Sequence, residues 1–125
     1  MANFNHILAF DEIGEDILTA RGGALYNVKI TAIRKANYTD LQSKFENPIS
    51  HTCDVEVGQT FVSTEGQKPE GLCDNAWGSM EEFVTELARG GGNFYDGWMK
   101  NPYSAMISCN DGFRPVSFYL ERIED

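Results

Sequence analysis

The sequence predicts a small α+β domain: a mostly antiparallel sheet packed against one main helix and closed by a C-terminal hairpin. Three observations predict it. Ala76, Trp77, Met80, Phe83, Val84, Leu87 and Ala88 follow the three–four spacing of a single buried helical stripe. Val28–Ile33 and Val55–Val62 are short runs of strand character. Asp111-Gly112 lies between two alternating apolar runs, a hairpin signal because both positions of a tight two-residue turn need positive φ.

Taken in order, residues 1–26 form an N-terminal arm. Ile7, Leu8, Phe10, Ile13, Ile17 and Leu18 have helical spacing, but Asp11, Glu12, Glu15 and Asp16 crowd the same stretch and Arg21-Gly22-Gly23 breaks it. Such an arm buries little alone and must dock on the domain or on a second subunit. The single domain spans residues 27–125. Its first strand is Val28–Ile33, and a short helix over Tyr38–Phe45 is stopped by Asn47-Pro48. Val55–Val62 is a strand with a bulge or bend at Gly58, followed by a polar loop through Pro69. The main helix runs from Asp74 to Arg89. Asp74 or Asn75 caps it, or Ser79 and Glu82 form a capping box one turn later. Gly90-Gly91-Gly92 ends it. Asn93–Tyr103 is an aromatic loop, and the hairpin follows with strands over 104–109 and 113–123.

Composition bounds the function. A chain of 125 residues, 42% hydrophobic with 8 Phe, 5 Tyr and 2 Trp, fits one folded domain. A net charge of −9 argues against nucleic acid, whose phosphates demand a basic face, and against anionic membrane surfaces. No apolar run approaches the ~20 residues of a membrane span, and the first residues lack the basic and apolar regions of a secretion signal. A soluble, cytoplasmic protein is expected. Three cysteines, an odd number, fit a reducing compartment better than a disulfide framework.

The hairpin supplies the best lead to a site. With Asp111-Gly112 as the turn, Asn110 pairs with Phe113 and Cys109 sits opposite Arg114. Strand alternation then puts Ala105, Ile107 and Cys109 on one face with Arg114, Val116, Phe118 and Leu120. A guanidinium on an apolar face must be paired or must line a cavity.

From Asn27 to Glu124 the chain resembles a family of small, uncharacterised bacterial and archaeal repeat-type proteins. The matching stretches are Pro69-Glu70-Gly71-Leu72-Cys73 with Ala76-Trp77, and Gly91-Gly92-Asn93-Phe94 with Trp98-Met99. They continue through Cys109, Asp111-Gly112, Arg114-Pro115-Val116, Phe118 and Glu121-Arg122-Ile123, and Cys53 matches a cysteine ahead of the Gly-Gln-x-Phe strand. Asn75 departs from the pattern, where an aromatic residue is usual. The arm lies outside it. The resemblance implies relatives and carries no activity with it.

Each candidate residue has a chemical and a structural explanation. Cys73 precedes the main helix, whose positive end favours thiolate, although Asp74 opposes this; a small buried thiol under the helix start is the alternative. Arg114 is fitted to hold an anionic ligand through its planar fork, or to clamp a nearby carboxylate. His51, Cys53, Cys73 and Cys109 add up to a Cys3His set, but no Cys-x2-Cys pair exists and no zinc is expected. Phe94, Tyr95, Trp98 and Tyr103 line a ligand mouth or close a core or dimer contact.

The function these residues favour is small-molecule binding or catalysis in a cysteine/arginine pocket between helix and hairpin. Cys73, Cys109 and Asp111 are the candidate catalytic residues, as nucleophile or acid/base. Arg114, Trp77, Trp98 and Phe94 are the candidate ligand-binding residues, suited to a small anionic or aromatic ligand, with Arg114 placed to steady an oxyanion. No cofactor or metal is called for. The alternatives are a non-catalytic interaction or accessory subunit, a homodimer among them, using the arm and the aromatic loop, and a metal-stabilised domain.

Overall fold

Four strands and two helices form in a computed structural model that describes residues 25–50 and 52–124. They are β1 (Asn27–Lys35), α1 (Thr39–Phe45), β2 (Thr60–Ser63), α2 (Asp74–Ala88), β3 (Ser104–Ser108) and β4 (Val116–Ile123). The strands make one sheet in the order β2-β1-β4-β3, antiparallel at every pairing. The α+β architecture predicted from the sequence is the one observed. Apart from Leu25 and Tyr26, the arm expected over residues 1–26 lies outside the described residues.

Period-two alternation builds the core. Val28, Ile30 and Ala32 of β1, Ala105 of β3 and Val116, Phe118 and Leu120 of β4 are all buried on one face of the sheet. Ala76, Met80, Val84 and Leu87, the stripe of α2, are buried against that face. The reverse face keeps Lys29, Thr31 and Tyr119 partly exposed and Val62 exposed. The sheet is thus covered on one side by α2.

Local chemistry moves several boundaries. β1 runs past Ile33 to Lys35, at the cost of a register shift between Ala32 and Arg34 that turns Ile33 outward. The strand expected over Val55–Val62 is reduced to Thr60–Ser63, because Gly58 adopts φ 93° and makes a turn with Val57. The Gly58 amide still reaches the Ala32 carbonyl at 2.7 Å, so this turn hangs from the bulge in β1. Helix α2 begins where expected, but its cap is Cys73 instead of Asp74 or Asn75. The Cys73 sulfur accepts the Ala76 amide at 3.4 Å. At the other end Gly90 takes φ 97°, and a side chain on Gly91 would run into the Glu86 carboxylate.

The hairpin differs most. Cys109 pairs with Val116, its amide donating to the Val116 carbonyl at 3.0 Å, and Ile107 pairs with Phe118. The predicted partner of Cys109 was Arg114. Asp111-Gly112 does not form the tight turn: Asp111 Oδ1 accepts the amides of Phe113 and Arg114 at 2.8 and 3.2 Å, an Asx arrangement that opens a wider loop. Pro115, with no amide to give the ladder, sits just before β4. The pairing slips by two residues, an even number, so the paired strand residues stay on their predicted faces, while Arg114 is left in the loop.

The aromatic loop buries Phe94 and leaves Trp98 and Tyr103 exposed. Phe94 is 1% exposed and meets Phe83 edge-on at 5.0 Å, while Tyr95 and Trp98 pair edge-on at 5.3 Å. The Arg122 guanidinium lies over the Tyr26 ring at 4.2 Å and over the Tyr103 ring at 3.8 Å, and donates to the Gly90 carbonyl.

Candidate functional site

The end of the sheet next to the start of α2 gathers chain from four places. The link between β1 and α1 is zipped to the β3–β4 loop: the Ala36 amide donates to Pro115 O and the Tyr38 amide to Phe113 O, each at 2.9 Å. Arg114 then reaches across to α1 and the residue after it. Its Nη1 and Nη2 donate to the two Glu46 oxygens at 3.0 and 2.8 Å, and Nη2 also donates to Gln42 Oε1 at 2.9 Å. Residues 47–50 leave from that anchor, and Lys35 Nζ donates to the Cys53 carbonyl at 3.3 Å farther along. From the opposite side, Asn75 Oδ1 in the first turn of α2 accepts the Asn110 amide at 3.2 Å, tying the hairpin loop to the helix start.

These tethers enclose a cavity of about 360 Å³ that Cys53, Cys73 and Cys109 all line, together with Asn75, Asp111 and Arg114. Glu46, Asp54 and Thr52 complete its polar wall, and Val55 and Ile49 its apolar one. All three cysteines are free thiols. Cys53 and Cys73 are exposed, whereas Cys109 is half-buried against the core and its sulfur accepts the Val116 amide at 3.3 Å. Two further recesses border the same wall. The larger, about 570 Å³, lies along α1 and contains no thiol; the smaller, about 310 Å³, is lined by Lys35, Asn37, Cys53 and Arg114.

The predicted site residues divide cleanly. Cys73, Cys109, Asp111 and Arg114 meet at the cavity. Trp77, Trp98 and Phe94 are not among its lining residues: Trp77 packs half-buried on the core, Phe94 lies within it, and Trp98 stands against Tyr95. Asn75, the departure from the family pattern beside Cys73, is a wall residue; sequence reasoning missed Glu46 and Asp54, and it weighed the chemistry of Cys53 only as a metal ligand. No local signal marks Glu46 and Asp54, since they are brought to the cavity by long-range bonds, Arg114 to Glu46 and Lys35 to the Cys53 carbonyl.

No protein-family model, no curated protein and no solved structure matches this chain.

The site's chemistry is therefore defined by its own atoms. Arg114 is a clamp. Its hydrogen bonds to Glu46 raise the guanidinium pKa above the ordinary value, the charges of Glu46 and Asp111 add to this, and burial opposes it. A fork already spent on a carboxylate and an amide is poorly placed to steady an oxyanion. Asp111 has a structural duty as well, because one of its oxygens holds the turn by accepting two backbone amides. The groups left for chemistry are the three sulfurs and the Asp54 carboxylate. Among the described residues no cluster of three or more His, Cys, Asp and Glu is arranged to hold a metal ion. His51, part of the Cys3His set, lies outside the described residues. Among the described residues, too, no helix is long and apolar enough to cross a membrane.

Proposed function

We propose that this domain binds a small molecule in the thiol-lined cavity between the start of α2, the β3–β4 loop and residues 46–49 and 52–55. The observation that carries the proposal is the convergence of three free cysteines, distant in sequence, on one recess of about 360 Å³. That size falls in the range of about 300–1,000 Å³ typical of small-molecule sites. Thiols are soft nucleophiles, and two of these accept a backbone amide that fixes the direction of the sulfur. With Arg114 and Asp111 held by structural bonds, binding or covalent capture at sulfur fits the wall better than acid–base turnover. The family that the Cys73, Cys109 and Arg114 motifs resemble adds no activity to this reading.

Alkylation of the folded, full-length chain tests it. Iodoacetamide is expected to modify Cys53, Cys73 and Cys109 without denaturant, as mapped by mass spectrometry. Asn75→Trp, which fills the cavity from its α2 wall, is expected to slow modification of Cys73 and Cys109. Thiols that react only after unfolding would make them core residues and remove the site.

A further inference from the structure

We infer that the cavity selects by charge, admitting cationic and neutral ligands and repelling anionic ones; this rests on the small-molecule reading above and specifies its ligand class. The charged side chains lining the cavity among the described residues are Glu46, Asp54, Asp111 and Arg114. Three carboxylates thus face one guanidinium. That guanidinium is bound bidentately to Glu46, which leaves Asp54 and Asp111 to set the sign of the field.

The opposing terms are smaller. The start of α2 contributes about half an elementary positive charge beside Cys73, less than one carboxylate. Lys68 is paired with Asp74 at 3.3 Å, so the nearest lysine to Cys73 in sequence arrives with its own counter-charge. Lys35 is the exception. It borders the smaller recess with Arg114, and Cys53 lines both that recess and the cavity. Cys73 and Cys109 therefore sit in the acidic field, whereas Cys53 sits between an acidic and a basic wall. A recess lined by one sign of charge concentrates ligands of the other sign and changes encounter rates by about tenfold or more. The chain's overall charge of −9 acts in the same direction.

A matched pair of thiol reagents separates this inference from the reading beneath it. Trimethylammonioethyl and sulfonatoethyl methanethiosulfonates have the same reacting group and opposite charge. Each transfers its alkylthio group to a cysteine thiolate, forming a mixed disulfide and releasing methanesulfinate. Rates are measured for each cysteine by mass spectrometry on the full chain, folded and in denaturant. The cation-to-anion rate ratio at Cys73 and Cys109 is expected to rise at least about tenfold on folding, with a smaller rise at Cys53. It should collapse in 1 M salt, where the screening length falls to about 3 Å. It should also fall in Asp54→Asn with Asp111→Asn, since asparagine keeps the oxygen that holds the Asx turn. Equal ratios in folded and unfolded chain, with both reagents reacting, would overturn charge selection and leave the site standing. Failure of both reagents until the chain unfolds would overturn the site itself.

Discussion

Arg114 grips Glu46 through two N–H···O contacts of 3.0 and 2.8 Å, joining a residue of the β3–β4 loop to the residue that ends α1. Helix α1 has seven residues, none buried, and is too short to hold its shape unaided. Arg114→Ala is expected to melt α1 locally while the sheet stays folded. Hydrogen exchange should show lost protection at Gln42 and Glu46, whose amides bond within this helix, and unchanged protection at Ile30 and Leu120. Retained protection at Gln42 would show that α1 stands without the clamp.

The same pair sets a pH expectation. Arg114 has its pKa raised in the folded chain, so its contribution is present below the unfolded value and lost only as pH climbs through the folded one. Arginine's ordinary value already lies far above neutral pH. Protection factors in α1 should therefore hold from pH 7 to pH 10, and a loss within that window would place a different group in control.

Phe118 is 1% exposed beneath α2 and paired with Ile107. Phe118→Ala should destabilise the domain by about 3–5 kcal/mol in urea unfolding. A loss under about 1 kcal/mol would mean that this face of β4 is not the core face.

Cys73 caps α2 with its sulfur, so its two simplest replacements should differ. Serine is a strong N-cap and Cys73→Ser should match or exceed the parent in stability, while Cys73→Ala should cost about 1 kcal/mol. Identical melting of the two variants would mean that the sulfur contributes nothing as a cap. Cys73→Ser is then also the clean way to remove the thiol from the cavity.

Two glycines of α2 and its exit should respond in opposite senses. Gly78 lies mid-helix with open space where a Cβ would sit, so Gly78→Ala should stabilise by about 1 kcal/mol. At Gly91 a methyl would strike the Glu86 carboxylate, which is itself buried, and Gly91→Ala should destabilise. Comparing the denaturation midpoints of the two variants checks both.

Periodic patterns were the readable part of this sequence. The stripe of α2 and the alternation of β4 identify their buried faces correctly, because each face needs only one period to be recognised. Register was harder. Asp-Gly is compatible with a tight turn, but the Asp111 side chain competes for the Phe113 and Arg114 amides and wins, and Pro115 delays the ladder. The slip left Cys109 on its face and gave Arg114 a different partner. Of the cavity, the sequence exposed one wall: Cys73 by its place before a helix, Cys109 and Asp111 by the hairpin. The opposite wall depends on a bond between residues 46 and 114, and nothing near Glu46 announces a partner so far along the chain. For the aromatic loop the sequence left a ligand mouth and core closure both open; Phe94 packs on Phe83 in the core, and Trp98 pairs with Tyr95.

The Tyr26 amide bonds to the carbonyl of Ala88, the last residue of α2, and Arg122 clamps the Tyr26 ring against that end. Cys73 caps the first turn of the same helix, through the Ala76 amide. Fifteen residues at about 1.5 Å each separate these ends by about 22 Å. Tyr26 thus docks at one pole of the helix while the thiol-lined cavity opens at the other. A dye, tether or bead attached at that pole stands about 22 Å from the start of α2, so immobilising the protein there leaves the cysteines free to be probed one ligand at a time.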